Sequence, residues 1–135
     1  MAVTTVCQVG GRFSRCHNVA IQSCQYCGRN FCAEHAHFVQ DHEAVCSRPA
    51  CRRKREDLVA HLAYRDRVRQ RNAAGLCGFE GCGPHPGYEC SLCLGLFCDA
   101  HLSERMYPFH DGWIQTERRV SICGRCWERR KVWRR

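Results

Sequence analysis

Apolar and polar positions alternate in short, broken stretches along this chain. No apolar run approaches the roughly 18 residues needed to span a membrane. The longest regular segment is residues 53–73, Arg-Lys-Arg-Glu-Asp-Leu-Val-Ala-His-Leu-Ala-Tyr-Arg-Asp-Arg-Val-Arg-Gln-Arg-Asn-Ala. It is rich in helix formers, contains no Pro and meets Gly75 as a stop signal, so a helix is predicted there. Leu58, Val59 and Leu62 form a short apolar stripe on it that is expected to pack on a neighbouring domain. Val120 and Ile122 alternate as in a short strand. Phe31 and Phe97, together with Trp113, Ile114, Val120, Ile122 and Trp127, are the candidate core. Pro84, Pro86 and Gly87 mark a loop. So few periodic segments cannot bury a core sufficient for 135 residues, and some other source of stability is needed.

Composition supplies it. The chain holds 14 Cys and 8 His, a cysteine level associated with disulfide scaffolds or metal sites. The first residues, Met1-Ala-Val-Thr-Thr-Val-Cys-Gln-Val-Gly-Gly-Arg, lack the basic start and apolar run of a signal peptide. A cytoplasmic location with reduced thiols is therefore expected, and clustered Cys and His then read as metal ligands. Sliding the sequence against itself by 66 residues supports this. Phe13, Cys16, Cys24, Cys27, Phe31, Cys32 and His35 fall on Phe79, Cys82, Cys90, Cys93, Phe97, Cys98 and His101. The shared core is Cys-x2-Cys-x3-Phe-Cys-x2-His, read as one unit in two copies.

Outlying pairs complete each copy. Cys7/Cys16 and Cys46/Cys51 flank the first core, and Cys77/Cys82 and Cys123/Cys126 the second. All 14 Cys plus His35 and His101 make sixteen ligands, enough for four Zn²⁺ ions in closed tetrahedral sites. If pairs one and three share an ion, and pairs two and four another, the sets are Cys7, Cys16, Cys32, His35 and Cys24, Cys27, Cys46, Cys51. In the second copy they are Cys77, Cys82, Cys98, His101 and Cys90, Cys93, Cys123, Cys126. Sequential pairing satisfies coordination equally well. The four residues between Cys27 and Cys32 better suit a turn between two different sites. His17 is an alternative to Cys7, and His42 to Cys46 or Cys51.

The segment Cys90-Ser-Leu-Cys93-Leu-Gly-Leu-Phe97-Cys98-Asp-Ala-His101, with Arg119-Val120-Ser-Ile-Cys123-Gly-Arg-Cys126-Trp127-Glu128, resembles a FYVE-type zinc finger over about residues 77–128. A weaker likeness covers residues 7–51. The resemblance belongs to the wider cross-braced class that includes RING and PHD fingers. It implies a small zinc-stabilised α+β chain of two cross-braced, treble-clef-like fingers joined by a helical linker. His replaces Cys at positions 35 and 101. The basic run with which FYVE fingers bind lipid is missing: those positions read Pro86-Gly-Tyr-Glu89 and Ala20-Ile-Gln-Ser23. A phosphoinositide membrane is therefore not an expected partner.

The expected organisation is finger one over 1–52, a basic helical linker over 53–75, finger two over 76–128 and a basic tail over 129–135. The formal charge is +8. Thiolate ligation leaves a zinc site of three cysteines and one histidine at −1, and a site of four cysteines at −2. The four sites together contribute −6, so the zinc-loaded chain carries about +2. Positive charge concentrates in the linker and tail. Arg52, Arg53, Lys54, Arg55, Arg67, Arg71, Arg129, Arg130, Lys131, Arg134 and Arg135 are candidate polyanion contacts. Every metal site has four protein ligands, and no Ser/His/Asp or paired-carboxylate set organises the spare His17, His37, His42, His61, His85 and His110. Those are read as surface or hydrogen-bonded loop residues. The expectation is a non-enzymatic adaptor whose partner is a protein. Nucleic-acid binding through linker and tail is the alternative, and RING-like ubiquitin-ligase activity a further one.

Overall fold

The computed structural model describes residues 5–10 and 15–133. Each half of the chain must organise around ligands rather than around a large apolar core, and most of its strands are short. Strand β1 (Gln22–Ser23) pairs antiparallel with β2 (Asn30–Phe31), and the turn between them carries Cys24 and Cys27. A single 3-10 turn, Ala33–His35, follows. The hairpin β3 (Ala36–Gln40) and β4 (Glu43–Cys46) comes next, then helix α1 (Pro49–Ala73).

The same succession returns. Strands β5 (Tyr88–Glu89) and β6 (Leu96–Phe97) pair, the 3-10 turn Asp99–His101 follows, and β7 (Leu102–Asp111) and β8 (Ile114–Cys123) form a longer hairpin before helix α2 (Gly124–Trp133). The two-stranded pairs and the 3-10 turns recur 66 positions apart. So do finer details. Gly28 donates its N–H to the Cys24 carbonyl with φ +74°, and Leu94 donates to that of Cys90 with φ +63°. The chain is thus α+β, and it divides into two compact units, residues 1–58 and 59–135.

Each unit has its own core. In the first, Phe31 and Val45 are fully buried among Cys24, Cys32, Cys46 and Cys51. In the second, Phe97 and Ile122 are buried with Val68, Val120 and the thiols of Cys77, Cys90, Cys123 and Cys126. Val68, on α1, fits so closely that a Cβ built on Gly95 lies 2.5 Å from its Cγ1, and one on Gly78 lies 2.8 Å away. Asn72 on the same helix accepts from the N–H of Leu96 and donates to the carbonyls of Leu76 and Leu96. The end of α1 is therefore part of the second unit's structure.

Several expectations need correction. Helix α1 begins at Pro49, not at residue 53. Proline suits a first helical turn because its missing N–H would have no intrahelical partner there. The stripe of Leu58, Val59 and Leu62 is not the buried face, since Val59 and Leu62 are each half exposed. Trp113 and Ile114 are not core either. They sit at the tip of the β7–β8 hairpin, where Trp113 is fully exposed. Gly112 precedes Trp113 with φ +62°, as a two-residue hairpin loop requires of its first position. The strand expected around Val120 and Ile122 runs ten residues. Most of residues 129–135, expected as a tail, belongs to α2. Among the described residues, no helix is long and apolar enough to cross a membrane.

Candidate metal centres

Two residues apart in a tight turn, two thiols can reach one ion, but a tetrahedron needs a second pair brought in by the fold. The strands supply it. Turn β1–β2 places Cys24 and Cys27 beside Cys46 at the end of β4 and Cys51 in the first turns of α1. Cys32, just before the 3-10 turn, and His35, its last residue, meet Cys7 and Cys16. The second unit gathers Cys90 and Cys93 with Cys123 at the end of β8 and Cys126 on α2, and Cys77 and Cys82 with Cys98 and His101. Within each of these four sets the ligand atoms all lie within 4.8 Å of one another. The sets interleave along the chain. His17 and His42 belong to neither set of the first unit.

The spacing fits zinc. Zn–S bonds of about 2.3 Å and Zn–N bonds of about 2.0–2.1 Å give tetrahedral edges of about 3.8 Å between sulfurs and about 3.5 Å between sulfur and nitrogen. Sulfur–sulfur distances are 3.8 Å for Cys16–Cys32, 3.8 Å for Cys27–Cys46, 3.7 Å for Cys82–Cys98 and 3.9 Å for Cys93–Cys123. His35 Nδ1 lies 3.5 Å from Cys7 Sγ and 3.3 Å from Cys32 Sγ. His101 Nδ1 lies 3.6 Å from Cys77 Sγ and 3.1 Å from Cys98 Sγ. A disulfide needs about 2.05 Å, and all fourteen cysteines are free thiols. The four sets are sites for four zinc ions.

Donors around the sulfurs prepare them for the ion. The Cys98 N–H points at Cys77 Sγ (3.2 Å) and the Cys123 N–H at Cys90 Sγ (3.4 Å). In the first unit, Val9 N–H reaches Cys7 Sγ at 3.4 Å and the Asn18 side-chain amide reaches Cys32 Sγ at 3.6 Å. Burial alone would raise the Cys24 thiol, but the backbone N–H groups of Cys46, Cys27 and Tyr26 hold it at about 7. Burial likewise opposes ionisation of Cys77, and the N–H groups of Cys98 and Phe79 bring it to about 7. In the second unit's all-cysteine set, hydrogen bonds from Cys123, Cys126 and Cys93 pull Cys90 down, while the same network pushes Cys126 up. Without a cation, Cys90 and Cys123 are drawn down while Cys93 and Cys126 are pushed up, so the four sulfurs do not ionise together. A divalent ion removes that conflict.

Supporting residues hold the ligands in place, and sequence reading had missed several. The Tyr64 hydroxyl on α1 donates to Cys123 Sγ at 3.3 Å. Phe79 lies flat on the His101 imidazole, ring centroids 4.0 Å apart and planes 2° from parallel, which fixes the ring's orientation. Its counterpart at the 66-residue offset, Phe13, lies outside the described residues. The alignment of Phe79 with Phe13 at the 66-residue offset was the available signal; Tyr64 carried none.

The candidate polyanion contacts divide by environment. Arg71 donates to the carbonyl oxygens of Cys77 (2.8 Å) and Cys82 (2.6 Å), clamping the loop that carries two ligands. Arg55 is mostly buried, stacked 4.1 Å over Phe38 and 3.4 Å from the Glu43 carboxylate. Lys131 pairs with Glu128 at 2.8 Å. Arg130 lies 3.7 Å over Trp127 and Arg129 5.8 Å over Trp133. Arg52, Arg53 and Arg67 are exposed on α1 and Lys54 is half-buried there; Arg134 and Arg135 lie outside the described residues. Of the spare histidines, His17, His37, His42, His85 and His110 are exposed, whereas His61 is buried on α1 beside Tyr64.

Comparison with protein-family models, with curated proteins and with solved structures finds no match to this chain. The class of protein is defined by its own geometry: a zinc-binding α+β chain with two pairs of interleaved metal sites.

Proposed function

We propose that this chain is a non-enzymatic interaction module. On this reading it consists of two cross-braced, treble-clef-like fingers of FYVE-like type, related as a tandem repeat, and its zinc ions are structural. The observation that carries the proposal is closure of the ligand sets. Each contains four protein donors at tetrahedral spacing, and a zinc ion so held offers no position to a substrate or a reactive water. The likeness between the two units at an offset of 66 residues supports the repeat.

The partner is in the first place a protein. Support comes from the β7–β8 hairpin, which presents the fully exposed Trp113 and the largely exposed Ile114 at its tip. Solvent-exposed tryptophans of this kind are favoured anchors of protein interfaces. The test is affinity capture with the zinc-loaded chain beside its Trp113→Ala variant. Specific proteins retained by the parent and lost by the variant, at equal zinc content, are expected. Identical recoveries from both chains, or recovery of nucleic acid alone, would overturn the protein reading.

A further inference from the structure

The β7–β8 hairpin and α2 enclose a groove of about 590 Å³ in the second unit. Its walls include Tyr107 and Pro108 from β7, Glu117 from β8, and Trp127, Arg130 and Trp133 from α2. Tyr107, Trp127 and Trp133 are only partly buried, so a ligand has access to them. Arginines are set against the aromatic rings all along this region. Arg130 and Arg105 lie 3.7 Å and 5.0 Å from the Trp127 ring centre, Arg118 lies 5.1 Å from that of Phe109, and Arg129 lies 5.8 Å from that of Trp133. Tyr107 and Phe109 meet edge to face at 5.4 Å. In the strand register Tyr107 is opposite Arg118 and Phe109 opposite Thr116, so Arg105, Tyr107, Phe109 and Arg118 share one face of the ribbon; of these only Tyr107 lines the groove, whose other strand residues, Pro108 and Glu117 among them, alternate with this set.

We infer that this groove binds single-stranded nucleic acid, which goes beyond the protein-binding role proposed above. The argument is complementarity of order as well as charge. Guanidinium groups lie against the groove's rings, Arg130 from its wall and Arg105 beside it on Trp127 and Arg129 on Trp133, and a single strand is a polymer that interleaves anionic phosphates with flat bases. A guanidinium lying over a ring keeps its N–H edge available to phosphate oxygens while its face extends the stacking surface. Bases of any identity stack on such a surface, so sequence preference is weak. A duplex hides its base faces and loses this half of the interaction. An acidic peptide satisfies the arginines but leaves the rings unmatched. Glu117 and Arg130 offset each other among the lining residues, and the positive charge at the groove comes from Arg105 and Arg129, set against the rings of Trp127 and Trp133. Trp113 lies at the hairpin tip and is not among the lining residues, so the two roles use different side chains.

The experiment is fluorescence anisotropy on the zinc-loaded full chain, with a labelled single strand of about 12 nucleotides, the matching duplex, and polyglutamate as competitor. Binding to the single strand is expected, with affinity falling steeply between about 50 and 200 mM salt. Trp133→Ala is expected to weaken it about tenfold, the effect of losing one stacked base. The double variant Arg105→Ala/Arg118→Ala, on exposed strand positions, is expected to weaken binding and flatten its salt dependence. Zinc content is measured in every sample, and the double variant carries the test if Trp133→Ala loses metal. No anisotropy change at about 50 mM salt overturns the inference. So does a duplex that binds as tightly as the single strand, equal competition by polyglutamate, or a double variant with unchanged affinity.

Discussion

Arg71 and Gly95 show how single residues of α1 and of the second unit's turn set the precision of the metal sites. Arg71 spans the two carbonyls of Cys77 and Cys82 with different nitrogens of one guanidinium, a geometry lysine cannot reproduce. Arg71→Ala is expected to speed zinc release from the Cys77/Cys82/Cys98/His101 site severalfold in a chelator-competition assay, and Arg71→Lys to restore little of the loss. Gly95 faces Val68 Cγ1 at a separation where an added methyl collides. Gly95→Ala should therefore cost about 1–3 kcal/mol of stability in the second unit. Chemical denaturation of the Gly95→Ala/Val68→Ala pair should recover much of that cost, since the two side chains share one space. At Leu94 the strain is in the backbone. This residue holds φ +63° where the first unit has Gly28 at φ +74°. Leu94→Gly is expected to leave stability unchanged or raise it by up to about 1 kcal/mol, against the usual penalty for introducing glycine, as a thermal unfolding curve would show.

At the scale of elements, α1 is the piece whose role differs most from that of a spacer. Its first turns carry the ligand Cys51, while Tyr64, Val68, Arg71 and Asn72 lie against the second unit. A chain beginning at Val59 keeps all four of these contacts, and one beginning at Leu76 keeps none. The longer fragment is expected to bind two zinc ions per chain and show cooperative unfolding. The shorter one should fall below two or unfold at lower denaturant, read by metal analysis and circular dichroism. The sequence made the ligand pairs legible because zinc demands thiols and imidazoles at fixed short spacing. Phe31 and Phe97 were legible for the same reason, being tied to that spacing. The β7–β8 hairpin was not. Residues 114–119 of β8 are exposed on both faces and 107–109 of β7 are partly buried in succession, so no alternation marks it, and Trp113 looked like a core residue only by its size. Nor did α1 reveal its buried face. A helix that meets its neighbours through a cysteine, a tyrosine, one valine and an asparagine leaves no apolar stripe to count.

For the molecule as a whole, metal stands in for the apolar core that its two units are too small to build. Removing zinc with a strong chelator is expected to unfold both units, seen as loss of near- and far-ultraviolet circular dichroism, and elemental analysis of the native chain should give four zinc ions. The formal charge would rise from about +2 toward +8 as thiolates take up protons. The interleaving of the ligand sets also imposes a timetable on a chain made from its N-terminus onward. Cys7, Cys16, Cys32 and His35 have all emerged sixteen residues before Cys51 completes the neighbouring set. At about 5–20 residues per second that interval is about one to three seconds. In the second unit, His101 precedes Cys126 by twenty-five residues. During each interval Cys24 and Cys27, or Cys90 and Cys93, already sit inside a loop that the first ion can close, with half of their own site still unmade. The nascent chain therefore passes through half-loaded stages in a fixed order, and a shortage of zinc during synthesis strands it at one of them.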